Sequence, residues 1–216
     1  MQKILDKIQK IGIVPVVVLE RAEDAAPLAE ALCKGNLPCA EVTFRTAAAE
    51  ESIRVMTGQF PEMLVGAGTV LTTEQVDRAA EAGAQFIVSP GFNSRIVKYC
   101  AQKGILMIPG CSTPSDLEQA LEHGLQTVKF FPAQQAGGLH MIKALAAPYT
   151  DVKFMPTGGI DASNVRDYLV YDRILACGGS WMVKSDLVRN GNFAEIARLA
   201  GEAAEIVKES RGMKAG

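Results

Sequence analysis

Short apolar runs alternate with Ala- and Glu-rich stretches along the whole chain. The runs are Ile13 to Leu19, Cys39 to Phe44, Met63 to Ala67, Gln85 to Ser89, Ile105 to Ile108, Gln126 to Phe131, Val152 to Met155 and Ile174 to Cys177. Each is too short for a helix and apolar enough to be a strand buried on both faces. The stretches between them carry apolar residues at helical spacing. Gly35, Gly83, Gly104 and Gly124 stand where such helices would end in a left-handed cap. Thr72 with Gln75, Thr113 followed by Pro114 and Asp116, Asp161 before Ala162, and Asn192 with Glu195 supply the chemistry that opens a helix. Met1 to Lys10 reads as a short amphipathic helix ahead of the first strand, Asn190 to Asn192 as a turn, and Lys208 to Gly216 as a polar tail that frays.

Strict alternation of strand and helix implies parallel strands joined by right-handed crossovers. Eight such units within 216 residues predict a (βα)8 TIM barrel, preceded by the short N-terminal helix and forming one domain over residues 1–216. A doubly wound open sheet is the competing arrangement. Its nucleotide-binding form wants G-x-G-x-x-G after the first strand, and Val14-Pro15-Val16-Val17-Val18-Leu19-Glu20-Arg21 contains no glycine. At this length the loops are short, so the expected ligand is small.

Composition narrows the classes. Hydrophobic residues make up 48% and charged residues 21%, as in a compact globule. A net charge of -2 and the absence of any basic run argue against nucleic acid. The N-terminus lacks the continuous apolar segment of a signal peptide or membrane span. Cys33, Cys39, Cys100, Cys111 and Cys177 form no C-x-x-C pair, which argues against a disulfide framework or a zinc site and fits the cytoplasm. His123 and His140 are far apart in sequence and read as surface or capping residues, so neither a metal nor an organic cofactor is expected.

Two strands break the apolar pattern. Alternation puts Glu41, Thr43 and Arg45 on one face and Ala40, Val42 and Phe44 on the other; it also groups Thr127, Lys129 and Phe131 inward and sends Phe130 toward the helices. A lysine, an arginine and a carboxylate then converge on one pocket at the C-terminal ends of the strands, where barrels keep their chemistry. A buried network that only fixes register is the plainer reading. It would cost several kcal/mol per ion, roughly, where apolar packing would serve as well. An amine must be neutral to attack a ketone, and a lysine in water has a pKa of ~10.4; desolvation and a nearby cation favour the neutral form, and a carboxylate opposes it. A carboxyl group at hand can protonate the enamine left when a carbon–carbon bond breaks, and the arginine fork matches the carboxylate of a 2-oxo acid.

Pro156-Thr157-Gly158-Gly159-Ile160 and Cys177-Gly178-Gly179-Ser180-Trp181 follow the seventh and eighth strands. These are the loops that bind phosphate in many barrels, and bare backbone amides suit an anion, although each Gly-Gly pair alone is as well explained by a tight turn. Trp181 reads as a packing residue behind the second loop.

With those residues placed, the chain resembles the 2-keto-3-deoxy-6-phosphogluconate (KDPG) aldolase family, close to 4-hydroxy-2-oxoglutarate (KHG) aldolase. The matching stretches are Glu41 to Thr46, Val65 to Val70, Ser89-Pro90-Gly91, Lys129 to Pro132, Pro156 to Ile160 and Gly178 to Trp181. The resemblance implies cleavage of a phosphorylated 2-keto-3-deoxy sugar acid to pyruvate and glyceraldehyde 3-phosphate, with Lys129 as the Schiff-base residue and Glu41 as general acid and base. It implies that Arg45, Thr69 and Pro90 hold pyruvate, that Phe131 walls the pocket, and that Gly158, Gly159, Gly179 and Ser180 hold the phosphate, with Thr157 near the sugar hydroxyls. It also implies a cytoplasmic homotrimer. Where many relatives carry an arginine directly after the leucine of the first strand, this chain has Glu20 before Arg21, which weakens a ligand role for Arg21. The rivals are an aldolase for the galactonate epimer or for unphosphorylated KHG, a phosphate-binding barrel isomerase or epimerase, and a non-catalytic phosphate-sugar sensor.

Overall fold

The structure, a computed structural model, describes residues 1–212. Its strands are β1 (Ile13–Val17), β2 (Cys39–Thr43), β3 (Leu64–Gly68), β4 (Phe86–Val88), β5 (Leu106–Ile108), β6 (Thr127–Phe130), β7 (Lys153–Pro156) and β8 (Cys177–Gly179). The helices are α1 (Gln2–Ile11), α2 (Ala25–Lys34), α3 (Ala49–Gln59), α4 (Thr73–Glu81), α5 (Ser94–Gln102), α6 (Pro114–Glu122), α7 (Gly138–Ala146), α8 (Val165–Leu169), α9 (Ser185–Arg189) and α10 (Phe193–Gly212). All strand pairs are parallel.

Hydrogen bonding divides the strands into a six-stranded sheet of order β5-β4-β3-β2-β1-β8 and a two-stranded sheet β6-β7. The seams are isolated parallel bridges, Gly110↔Lys129 on one side and Phe154↔Ile174 with Thr157↔Gly178 on the other. The expected barrel therefore does not form as one unbroken eight-stranded ladder; what stands is a parallel α/β half-barrel sheet with a second pair beside it. The seams follow from the short partners: β5 ends at Ile108, and the chain turns through Pro109, which has no N–H to donate, although its carbonyl accepts from Lys129 N at 2.8 Å.

The period-two reading of the strands holds. Ala40, Val42, Val65, Ala67, Ile87, Val128, Phe130 and Phe154 belong to the large cluster between strands and helices. Val14, Cys39, Leu64, Phe86, Val88, Leu106, Ile108 and Met155 form a separate inner cluster, and Ile4, Leu5, Ile8 and Ile11 of α1 pack against it or within it. The amphipathic N-terminal helix thus closes the N-terminal end of the strands, and the C-terminal end is left for polar side chains.

Several local expectations are corrected. Gly83, Gly104 and Gly124 do take positive φ, but Gly35 has φ -79 and the left-handed residue is Asn36 at φ 55, an asparagine that tolerates that region. Gly12, not anticipated, makes the left-handed cap of α1. Thr72 and Thr113 cap their helices through Gln75 N and Asp116 N. Asp161 instead holds a turn, accepting from Ser163 N at 2.8 Å, and α8 opens after Asn164. The eighth strand lies on Cys177–Gly179 rather than on Ile174 to Cys177, because pairing with β1 (Ile13↔Cys177, Pro15↔Gly179) outweighs the low strand preference of glycine. The expected fraying tail is helical through Gly212, with Ser210 fully buried and Arg211 donating to Leu175 O at 2.7 Å; residues 213–216 lie outside the described residues.

Ile8 is completely buried against the inner cluster, far along the strands from the polar end. Ile8→Ala is expected to lower stability by about 2–5 kcal/mol in urea titration while leaving turnover of the folded fraction unchanged.

Candidate active site

The centre of the polar end is an ion pair between two inward residues of different sheets. Lys129 of β6 donates from Nζ to Glu41 Oε1 of β2 at 3.1 Å; the lysine is 5% exposed and the glutamate 0%. The other carboxylate oxygen, Oε2, is buried and has no hydrogen-bond partner among the described residues. An unpaired carboxylate oxygen at zero exposure carries a desolvation penalty, so it is a natural point for a ligand hydroxyl or a water to dock. Phe131 completes the wall, with its ring centroid 5.4 Å from Nζ. The peptide Phe131-Pro132 is cis.

Arg45 does not join the pair. β2 ends at Thr43, so the alternation that placed Arg45 inward has lapsed by its position, and its side chain is exposed at the rim. There its Nε donates to Thr69 Oγ1 at 3.3 Å. Thr69 itself has φ 55, a left-handed conformation that costs a β-branched residue roughly 1–3 kcal/mol and that the surrounding chain enforces. Thr43 points inward as expected, but its hydroxyl is spent on Val17 O at 3.0 Å. Arg21 is paired with Asp24 at 2.8 Å and with Glu23 at 3.1 Å.

Pro90 reaches the site through the backbone. A Cβ on Gly110 would lie 2.0 Å from Pro90 O, and Gly110 in turn bridges Lys129. On the other side, Gly158 (φ 101) lies against Phe131, whose Cδ2 is 3.4 Å from where a Gly158 Cβ would be. Ala133 N donates to Thr157 O and Gln134 N to Gly158 O, which ties the loop after β6 to the loop after β7. Gly159 has φ 72, and Asn164 Nδ2 donates to its carbonyl. The backbone N–H groups of Gly159 and Ser180 are in no hydrogen bond outside the strand ladders among the described residues, whereas Gly158 N–H faces Gly178 in the bridge between β7 and β8. Ser180 is exposed, and Gly179 lies under the Trp181 ring, which confirms the packing reading of that tryptophan. Gly110 escaped the sequence reading, and so did the steric role of two glycines within the quoted stretches: a Cβ on Gly68 would stand 2.3 Å from Glu41 Oε1, and one on Gly178 2.2 Å from Thr157 Oγ1. The signal available was parity, since Gly66 and Gly68 fall on the inward positions of β3.

The geometry is that of a buried amine with a carboxylate at hydrogen-bonding distance, a guanidinium at the rim and unspent amides beyond. Residues 4–199 match the profile of the KDPG and KHG aldolase family. The chain belongs to that family. It is 48% identical over 204 residues to a 2-dehydro-3-deoxy-phosphogluconate aldolase of Treponema pallidum, covering 94% of this chain and 97% of that one. It is 44% identical over 196 residues to the KHG/KDPG aldolase of Escherichia coli K12, covering 91% and 92%. Among solved structures, the KDPG aldolase of Legionella pneumophila, with pyruvate captured as a covalent carbinolamine, superposes with a TM-score of 0.89 at 38% identity, covering 92% and 97%. As a member of this aldolase family the chain is a carbon–carbon lyase.

Glu41 is the one side chain among the described residues that is hydrogen-bonded to the aldolase's Lys129 amine. Among the described residues no three His, Cys, Asp or Glu side chains gather as metal ligands, and no helix is long and apolar enough to cross a membrane. A concavity of about 650 Å³ lined by Leu5, Gln9, Leu106, Thr127 and Lys153 opens at the N-terminal ends of the strands, at the wrong end for this chemistry. His123 ends α6 with Nδ1 2.9 Å from Gln119 O and its ring edge-on to Phe92, and His140 is exposed on α7. The cysteines are free, and burial pushes the Cys100 thiol from an ordinary 9.0 up to about 11; burial and then Asp116 push Cys111 up to about 12.

An acid whose pKa is raised by folding loses its proton first in the unfolded chain, so its contribution is complete below the unfolded value and is lost as pH climbs toward the folded one. For Cys100 that window runs from about 9 to about 11. The urea midpoint of the native protein is expected to fall across this window, and by less in Cys100→Ala.

Proposed function

We propose that this chain is a Schiff-base aldolase cleaving 2-keto-3-deoxy-6-phosphogluconate to pyruvate and glyceraldehyde 3-phosphate, with Lys129 as the nucleophile and Glu41 as the proton carrier. The observation that carries the reading is the buried pair itself: Nζ 3.1 Å from Oε1, with Oε2 unpartnered. Passing one proton from the ammonium to the carboxylate 3.1 Å away frees the lysine lone pair, which the attack requires. The free amine then attacks the C2 ketone. Glu41 returns the proton to the carbinolamine oxygen, water leaves, and a protonated imine remains. Glu41, now a carboxylate again, takes the C4 hydroxyl proton directly or through a water, the C3–C4 bond breaks, its electron pair flows into the iminium, and the aldehyde departs. The enamine takes a proton at C3, and hydrolysis frees pyruvate and regenerates Lys129.

Arg45, with Thr69 as its anchor, and the Pro90 backbone are the groups we assign to the pyruvate carboxylate end, and Phe131 to the apolar wall. The amides of Gly159 and Ser180, together with Gly158 and Gly179, are assigned to the phosphate, and the Thr157 hydroxyl to the sugar. Free N–H groups on glycine backbone can approach an anion closely, which supports that half of the reading. No residue in the scheme requires a metal or an organic cofactor. We further read residues 1–216 as one (βα)8 domain whose two sheets close across the bridged seams, acting in the cytoplasm as a homotrimer, as the family resemblance implies.

Incubation with pyruvate and borohydride is expected to add one reduced pyruvate to the peptide containing Lys129, and Lys129→Met to abolish both the adduct and cleavage. Glu41→Gln is expected to slow exchange of the pyruvate methyl protons with solvent by about 10²–10⁴-fold. An isomerase or epimerase would form no adduct, and a sensor would bind without turnover. Turnover with and without the phosphate, and with the gluconate and galactonate epimers, ranks the substrates.

A further inference from the structure

We infer that Gly68 is the positioning residue for Glu41: the volume of its absent side chain is the volume in which the carboxylate sits beside Lys129. This deepens the preceding section and rests on its assignment of proton transfer to Glu41. A Cβ built on Gly68 would stand 2.3 Å from Glu41 Oε1, 2.7 Å from its Cγ and 2.9 Å from its Cδ. Those three nearest atoms all belong to one side chain, and the closest is the oxygen that receives the lysine proton at 3.1 Å.

The usual reason for a glycine does not apply here. Gly68 is not among the residues with positive φ, so an alanine could adopt its backbone without strain. Nor can the backbone yield easily. β3 is paired on both edges, with Thr43↔Gly68 toward β2 and Ala67↔Ile87 toward β4, and Phe44 N donates to Gly68 O at 2.8 Å. Of the groups in the collision, the end of the Glu41 side chain is the one free to move. Its neighbours leave it no equivalent place: Glu41 has no exposure, and Oε2 has no polar partner to move toward. Gly66, two residues earlier on the same face, makes room for the Phe86 ring, which is apolar packing. Gly68 makes room for a charged oxygen, and that oxygen's position sets whether the amine and the enamine carbon have a proton carrier.

The test uses Gly68→Ala. The equilibrium yield of borohydride-trapped pyruvate on Lys129 is expected to stay near that of the parent, while methyl proton exchange and kcat for cleavage fall at least tenfold with little change in KM. In a Glu41→Ala background the same Gly68→Ala change is expected to cost no further exchange, because its target is gone. Exchange at the parental rate in Gly68→Ala would overturn the inference, and so would an additional loss in the Glu41→Ala background. Should Gly68→Ala fail to fold, Glu41→Ala/Gly68→Ala is expected to fold, since the collision is with Glu41; failure of the double variant as well would overturn the inference. Absence of a trapped adduct in the parent would instead bring down the Schiff-base assignment, a result distinguishable from all of these.

Discussion

One ammonium and one carboxylate held at 3.1 Å in a water-poor interior set the terms for everything around them. Such a pair is a poor device for stability, because removing two ions from water costs about as much as their attraction returns. It is a good device for chemistry, because a single proton shift turns it into an amine and an acid. The rest of the polar end can be understood as what keeps that pair dry, close and reachable: the Phe131 ring beside Nζ, the inner apolar cluster below, and a rim where Arg45 remains in solvent.

The frame does this largely by leaving atoms out. Gly68 clears the carboxylate, Gly178 clears the Thr157 hydroxyl, and Gly110 lets the Pro90 carbonyl come against the strand end that bridges to Lys129. None of these three takes a left-handed backbone, so space, not torsional freedom, accounts for glycine at each. Thr69 shows the opposite choice. It accepts a conformation that glycine would adopt freely and thereby keeps a hydroxyl for Arg45 Nε.

Much of this was legible from residue order alone, where the governing rule is local. Alternation along an extended chain placed Glu41, Lys129 and Phe130 correctly, and the caps at Thr72 and Thr113 follow from contacts three residues away. For Arg45 the rule was carried two residues past the end of β2, so it could not foresee an exposed side chain whose Nε meets Thr69 Oγ1. The eighth strand was misplaced because pairing with β1 overrode composition, and the role of Gly68 was invisible because it depends on a neighbour from another strand. An unbroken ring of ladders was expected because counting units says nothing about whether short strands such as β5 and β8, three residues each, reach their neighbours.

That division of the strands has a mechanical meaning. Lys129 and Thr157 are carried by, or directly follow, the β6-β7 pair, which meets the larger sheet through isolated bridges, whereas Glu41 belongs to the larger sheet. The gap across which a proton has to pass is therefore spanned by two separately laddered sheets, and its width is fixed by a few bridging bonds, such as Cys111 N to Lys129 O at 2.8 Å, in place of a continuous ladder.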